Sequence, residues 1–364
     1  AVNDHRGHYL ATGYFNPHSQ IRVRLLTWDP NEAIDQGFWH GRLQRALDSR
    51  MALALSPVTD AYRLVFAEAD GLPGLIVDRY GDYLVLQSLT LGIEKRKEAL
   101  TQILVDLLNP QGILERSDVA IRQKEGLPQQ SGLLWGKEPP KRLTIQENNL
   151  DFNVAVWQGH KTGFYLDQRE NRAIFGREEW FSGRTLLNVF AYTGGFSIYA
   201  ASANAGLITN IDSSIPALEM AEMNVLRNAP QRTEDEYIAG DAFEVLRYLR
   251  DKASQNREGA LYGAVILDPP KFAHSQGDVQ RASRGYKDLN LLALQLIEPG
   301  GLLASFSCSG HITADLFQKI LFGAAVDAGR DVQILTPLSQ AADHPVLLTF
   351  PESAYLKGFL CRVW

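Results

Sequence analysis

The chain has 364 residues, 45% hydrophobic and 21% charged, with 36 Lys+Arg against 42 Asp+Glu and a formal net charge of −6. This balance excludes a disordered, collagen-like or coiled-coil chain, and it is not the basic surplus of a protein held to nucleic acid mainly by nonspecific phosphate attraction. No apolar run reaches the roughly 20 residues of a membrane span, the opening AVNDHRGHYL lacks the h-region of a signal peptide, and two cysteines, Cys308 and Cys361, fit a reducing cytoplasm rather than a disulfide framework.

From the start, HYLATGYF, the turn NPHS and the alternating run Ile21-Arg22-Val23-Arg24-Leu25 predict strands. Alternation puts Arg22 and Arg24 on one strand face, where two cations suit phosphate, although a solvated strand face is the commoner explanation of such a pair. Residues 1–52 carry a net +1, against −3 for 53–140 and −4 for 141–364. A helix is expected from about Pro30 through the basic stretch Arg42 to Arg50. Residues 60–135 read as a small α+β unit. AYRLVFAEAD and LPGLIVDRYGDYLVLQSL are β-rich, with turns at Gly71, Gly74 and Gly81, IEKRKEALTQILVDLL is an amphipathic helix, and ILERSDVAIRQKEG returns to strand. GKEPPKR, at 136–142, has the composition of a linker, and LTIQENNLDFNVAVW predicts a hairpin turning near Glu147–Asn149. Three domains are therefore expected, at 1–52, 53–140 and 141–364.

From about residue 184, strands and helices alternate, which predicts a parallel, doubly wound sheet. Ligands of such sheets lie outside the carboxyl ends of the strands. The ends read Asn188-Val189-Phe190-Ala191-Tyr192-Thr193-Gly194-Gly195, then Asp212, Asp241, Asp268-Pro269-Pro270-Lys271 and Ser307-Cys308-Ser309. Gly194-Gly195 allow backbone to approach a ligand before a helix N-terminus. Asp212, about 20 residues on, is placed to accept ribose hydroxyls. Asp241 with Ala242 is placed to read an adenine edge, and each Asp taken singly is also a helix cap. Phe190 and Tyr192 occupy the earlier positions of a G-x-G-x-x-G loop, where pyrophosphate needs close backbone approach. That argues against NAD and for S-adenosylmethionine. The eight histidines make no zinc spacing with a cysteine, so no metal is expected.

NVFAYTGGFS, NIDSS, GDAF, LDPPKF and SFSCSG resemble the motifs of the RlmI-type 23S ribosomal RNA (cytosine-C5) methyltransferases. GHKTGFYLDQRENR, RGYKDLN, DLFQKI, QAADHPV, YLKGFLCRVW, GYFNPHSQIRVR and SDVAIRQKEG are similar to that family too, so the resemblance covers nearly the whole chain. It implies an N-terminal β-rich PUA domain entered partway, a small central α+β domain and a C-terminal Rossmann-like catalytic domain. It further implies a cytoplasmic enzyme, S-adenosylmethionine as cofactor, and 23S ribosomal RNA or a large-subunit assembly intermediate as partner. A membrane is not expected as a partner, and a homodimer is admitted.

Carbon-5 of cytosine is a poor nucleophile, and a thiolate adding at carbon-6 makes it enamine-like. Cys308, ending an interior strand among Ser307, Ser309 and Gly310, is the candidate thiol, whereas Cys361 reads as a core residue. Asp268 suits the N3 and amino edge of the base. Lys271 is a candidate for lowering the thiol pKa or contacting phosphate, Phe272 for stacking on an extruded base, and Arg284 for the RNA cleft. Tyr165, Gln168 and Arg169 are candidates to cover the cofactor, with Ser213 beside Asp212. Two other readings stay open: methylation of a base nitrogen such as guanine N7, which needs no cysteine, and a noncatalytic RNA-binding assembly factor.

Overall fold

The computed structural model describes residues 1–53, 55, 57–255 and 261–364. Its contacts divide the chain into two compact units, Ala1–Asp167 with Ala341–Ser353, and Gln168–Gln340 with Ala354–Trp364.

The first unit begins with β1 (Val2–Asn3), β2 (Tyr9–Phe15) and β3 (Val23–Thr27), an antiparallel sheet in that order. Next comes α1 (Gln36–Met51), whose first turn is capped by Asp35 accepting the Phe38 N–H at 3.0 Å. β4 (Ala61–Phe66), β5 (Leu75–Tyr80), β6 (Tyr83–Ser88), α2 (Leu91–Glu94), α3 (Lys97–Leu108), β7 (Gly112–Ser117) and β8 (Gln130–Gly136) follow. The five strands pair in sequence order, and only β6 and β7 run parallel. That is the one pair joined by α-helices, as a parallel connection requires, the other connections holding at most a short 3-10 turn.

Tyr14 and Leu26 from the first sheet share a core with Phe38 and Leu43 of α1 and with Val77 and Leu104 beyond them. The expected boundary at 52 therefore falls inside one packed unit, because the small N-terminal sheet buries its apolar face on the central strands. The segment after 140 belongs here as well. In the hairpin of β9 (Leu143–Glu147) and β10 (Leu150–Val154), Asn148 (φ 51°) and Asn149 (φ 65°) form a turn with two left-handed residues. The hairpin is tied to residues 58–60 by Asn149 N–H to Val58 O (3.0 Å) and Asp60 N–H to Gln146 O (2.9 Å). Asp343 anchors the returning segment, its carboxylate accepting the Arg63 N–H at 2.7 Å.

The second unit contains α4 (Arg169–Phe175), α5 (Glu178–Phe181), β11 (Leu186–Val189), α6 (Gly195–Ser202), β12 (Ile208–Asp212), α7 (Ile215–Asn228), β13 (Glu236–Ala239) and α8 (Ala242–Gln255). They are followed by β14 (Tyr262–Leu267), α9 (Val279–Leu296), β15 (Ile297–Ser307), α10 (Ala314–Ala328), β16 (Val332–Ser339) and β17 (Lys357–Val363). The sheet order is β13-β12-β11-β14-β15-β17-β16. The first five strands are parallel, and every residue of β11 and β14 is buried, as in a sheet covered on both faces. β17 departs from the parallel expectation: it enters antiparallel between β15 and β16. The stretch between β16 and β17 holds only the 3-10 turn Pro351–Ser353, so no helical crossover reverses the chain. The strand order turns back between β11 and β14, and that switch point sets the ligand crevice at the carboxyl ends of the strands.

Candidate active site

The loop from β11 to α6 is unusual in its backbone. Phe190 (φ 62°) and Tyr192 (φ 47°) are left-handed without being glycine, and Gly194 (φ 79°) repeats the conformation two residues on. Non-glycine residues held there store strain, which concentrates at ligand-binding loops. Neighbouring strands hold the shape: Ala191 N–H donates to Ile211 O and Tyr192 N–H to the Asp212 carboxylate, each at 2.9 Å. The other Asp212 oxygen accepts the Ser214 N–H at 2.9 Å. Asp212 is thus fixed in orientation by the loop it faces, with lone pairs left on both oxygens for hydroxyl donors. Beneath the loop, Asn188 is buried and donates to Ser197 Oγ (2.8 Å), which donates to Asn210 (2.5 Å). Asn188 therefore supports the loop from below. Ala191, Thr193 and Gly194 are buried, Gly195 is half-buried, and Ser213 is exposed beside Asp212. Asp241 caps α8, its Oδ1 accepting from Phe243 (2.9 Å) and Glu244 (3.1 Å), while the residue itself stays exposed and Ala242 is buried behind it. Capping and ligand contact are compatible here.

Two strands further along, the segments after β14 and β15 are tied together. Ser309 Oγ accepts the N–H groups of Phe272 and Ala273, both at 3.2 Å, and lies 3.0 Å from the Tyr286 hydroxyl. Ser307 Oγ donates to the same phenol at 3.0 Å. Cys308 is half-buried between these serines, its sulfur 4.0 Å from Pro269 O, with half-buried Asp268 at the neighbouring strand end. Lys357, the first residue of β17, sits across from Ser307 and donates to Ser309 O and Ile312 O, both at 2.8 Å. Burial, with a smaller push from the Lys271 cation, brings the Lys357 ammonium down to about 8, and a negative charge on Cys308 opposes the fall. Burial pushes the Cys361 thiol up to about 12, so that second sulfur stays protonated inside the core. Phe272 is half-buried and packs against Tyr286, ring centroids 4.6 Å apart, with Phe243 at 6.3 Å.

The remaining candidates separate. Lys271 and Arg284 are exposed in the second unit. Gln168 and Arg169 are buried at its start, Gln168 accepting from Asn171 at 2.6 Å and Arg169 donating to Glu170 at 3.0 Å. Tyr165 belongs to the first unit, 3.2 Å from His160 Nδ1 and under the Lys161 ammonium. Arg22 is exposed, but Arg24, expected to meet phosphate with it, bridges Glu68 and Glu125, each at 3.1 Å. Its charge is neutralised inside the protein because those partners lie on later elements of the same unit. Tyr286, two residues after Arg284, is fully buried. Lys357 opens an apolar strand sequence, and its visible signal is one lysine beside a strand of buried hydrophobics.

Phe190 and Tyr192 stand in the first loop where a pyrophosphate site has its leading glycines, and only Gly194 and Gly195 remain. The oriented Asp212 carboxylate, the tight loop and Asp241 suit a nucleoside carrying a sulfonium. Sheet order and strand ends together define an S-adenosylmethionine-dependent methyltransferase. The model of that family matches residues 104–329, and that of a PUA-like domain matches residues 1–28. Ribosomal RNA large subunit methyltransferase I of Escherichia coli is 46% identical over 362 residues, covering 100% of this chain and 89% of that protein. Its counterpart from Klebsiella pneumoniae is 46% identical, with 100% and 88% covered. Among solved structures, a protein from Streptococcus mutans described as a methyltransferase of this cofactor superposes with a TM-score of 0.84 at 23% identity, covering 99% of this chain and 90% of that one. A methyltransferase solved with SAH gives 0.85 at 24% identity, with the same coverage. The chain belongs to the ribosomal RNA large subunit methyltransferase I family, and its cofactor is S-adenosylmethionine.

Proposed function

We propose that this enzyme methylates carbon-5 of one cytosine in 23S ribosomal RNA through a covalent adduct between Cys308 and carbon-6. The observation that carries the reading is the placement of Cys308: a half-exposed thiol at a strand end, one strand from a carboxyl group and on the ligand side of the sheet. The cofactor-holding set is the loop Phe190–Gly195 with Asp212, Ser213, Asp241 and Ala242, supported from below by Asn188. S-adenosylmethionine supplies an electrophilic methyl group when bound there.

The protein's own part is to make carbon-5 reactive. The Cys308 thiolate adds to carbon-6, the sulfur–carbon bond forms, and the ring's electron pair moves toward N3 and O2. Asp268, as the acid, hydrogen-bonds the N3 side and stabilises that charge. After carbon-5 has gained its methyl group, loss of the carbon-5 proton and breakage of the sulfur–carbon bond return the thiolate. Phe272 offers a ring face to the extruded base. Lys271 and Arg284 on the second unit and Arg22 on the first are the cations available for phosphate.

The test is nucleoside mass analysis of ribosomal RNA treated with enzyme and cofactor. Wild type should yield 5-methylcytosine. Cys308→Ser should lose turnover by more than about a thousandfold while keeping cofactor affinity, and Cys361→Ser, where folded, should stay near wild type. A fully active Cys308→Ser enzyme, or product methylated on a base nitrogen, would overturn the reading.

A further inference from the structure

We propose that Lys357 is a positioning residue for Cys308: pinned to the two carbonyls that follow the cysteine, its ammonium holds the thiol in the ionised, nucleophilic form. The inference deepens the reading of Cys308 as the nucleophile and rests on it.

The placement comes from topology. β17 is the strand that enters antiparallel, and its register sets Lys357 directly across from Ser307, the residue before Cys308. Gly358 beside it has no room for a side chain, since a Cβ would stand 2.5 Å from the Phe306 ring, so β17 is held close to β15 at this level. A lysine ammonium has three donors. Two go to Ser309 O and Ile312 O at 2.8 Å, on the turn that leaves Cys308. Among the described residues the third has no hydrogen-bond acceptor, while Cys308 is near enough for its charge to act on the amine.

A pin for two carbonyls does not require a cation. A neutral amide supplies the same donors without the desolvation that brings Lys357 down to about 8. Below that pH the amine is protonated and its charge favours the thiolate. Above it the amine is neutral and the effect fades. Among the described residues, titratable or charged groups on the elements next to Cys308 include Asp268 and Lys271 after β14, Tyr286 on α9 and His311 in the following turn. Asp268 opposes the thiolate only when ionised, and as the neutral acid that serves N3 it does not. Lys271 supports the thiolate from an exposed position, where solvent screens its charge.

The pH dependence of Cys308 alkylation by iodoacetamide, followed by peptide mass on the full chain without RNA, tests the assignment. Wild type should titrate below the ordinary thiol value of about 8.5. Lys357→Gln, which keeps N–H donors and removes the charge, should move the midpoint up by about one pH unit and slow alkylation at pH 7 about tenfold. Lys357→Arg should restore most of the wild-type profile. Lys357→Met is the second charge-free variant should Lys357→Gln not fold, with thermal melting and cofactor affinity as the folding controls. A folded charge-free variant with the wild-type profile would overturn the inference. Because alkylation needs neither RNA nor methyl transfer, this failure is separable from failure of the adduct: an active Cys308→Ser enzyme would end the covalent mechanism whatever the alkylation profile shows.

Discussion

The two units use polar side chains in opposite ways. In the first, buried and half-buried charges close on one another: Arg63 grips Asp78 with two 2.8 Å bonds, Lys97 holds Glu115, Arg50 holds Asp70, and Arg24 spans Glu68 and Glu125. Such pairs fix one arrangement of strands and add little net stability, because desolvation offsets most of the attraction. In the second unit, the polar groups at the strand ends serve backbone N–H groups. Asp212, Asp241 and Ser309 each shape a loop, and the two carboxylates keep acceptor capacity beyond those bonds, whereas Ser309 is buried with its lone pairs used. Closed pairs make a scaffold, and loop-shaping acceptors make a site.

The largest effect should come from opening a closed pair. Asp78→Ala leaves a guanidinium buried without its carboxylate and should destabilise the first unit by about 3–5 kcal/mol in urea unfolding. A loss below about 1 kcal/mol would mean the pair is not the structural element described. At the other kind of site, Asp212→Ala should leave unfolding nearly unchanged and weaken S-adenosylmethionine at least tenfold, about 1.4 kcal/mol, by calorimetry. Unaltered affinity would show that the carboxylate only shapes the loop.

What could be read in the sequence follows the same division. The strand ends of the second unit and the Asn148–Asn149 hairpin were legible because they rest on local signals: buried apolar runs, acids at regular intervals, asparagines and glycines at turns. The partners of Arg24 lie 44 and 101 residues away, and no periodicity announces such a pairing. For the same reason the shared core that erases a boundary at residue 52 was hidden, since Tyr14 and Leu26 look like ordinary strand residues until the central sheet lies against them. Lys357 lies some 50 residues from Cys308 in sequence and reaches the turn after it only because β17 inserts antiparallel, an arrangement that alternating strands and helices do not foretell. Within the site, the strand-end positions of Cys308 and Asp268 were readable from the alternation of strands and helices, whereas the serine–tyrosine clamp that holds their loops needed the packing of α9.

The most direct measurement of the central claim is covalent trapping. RNA carrying 5-fluorocytosine at the target has no carbon-5 proton to lose, so an adduct that has received its methyl group cannot resolve. With S-adenosylmethionine present, wild type should form a denaturation-resistant RNA–protein species, mapped by peptide mass to Cys308, and Cys308→Ser should form none. An active wild-type enzyme that leaves no trapped species, or a Cys308→Ser enzyme that is trapped as efficiently, would contradict the account.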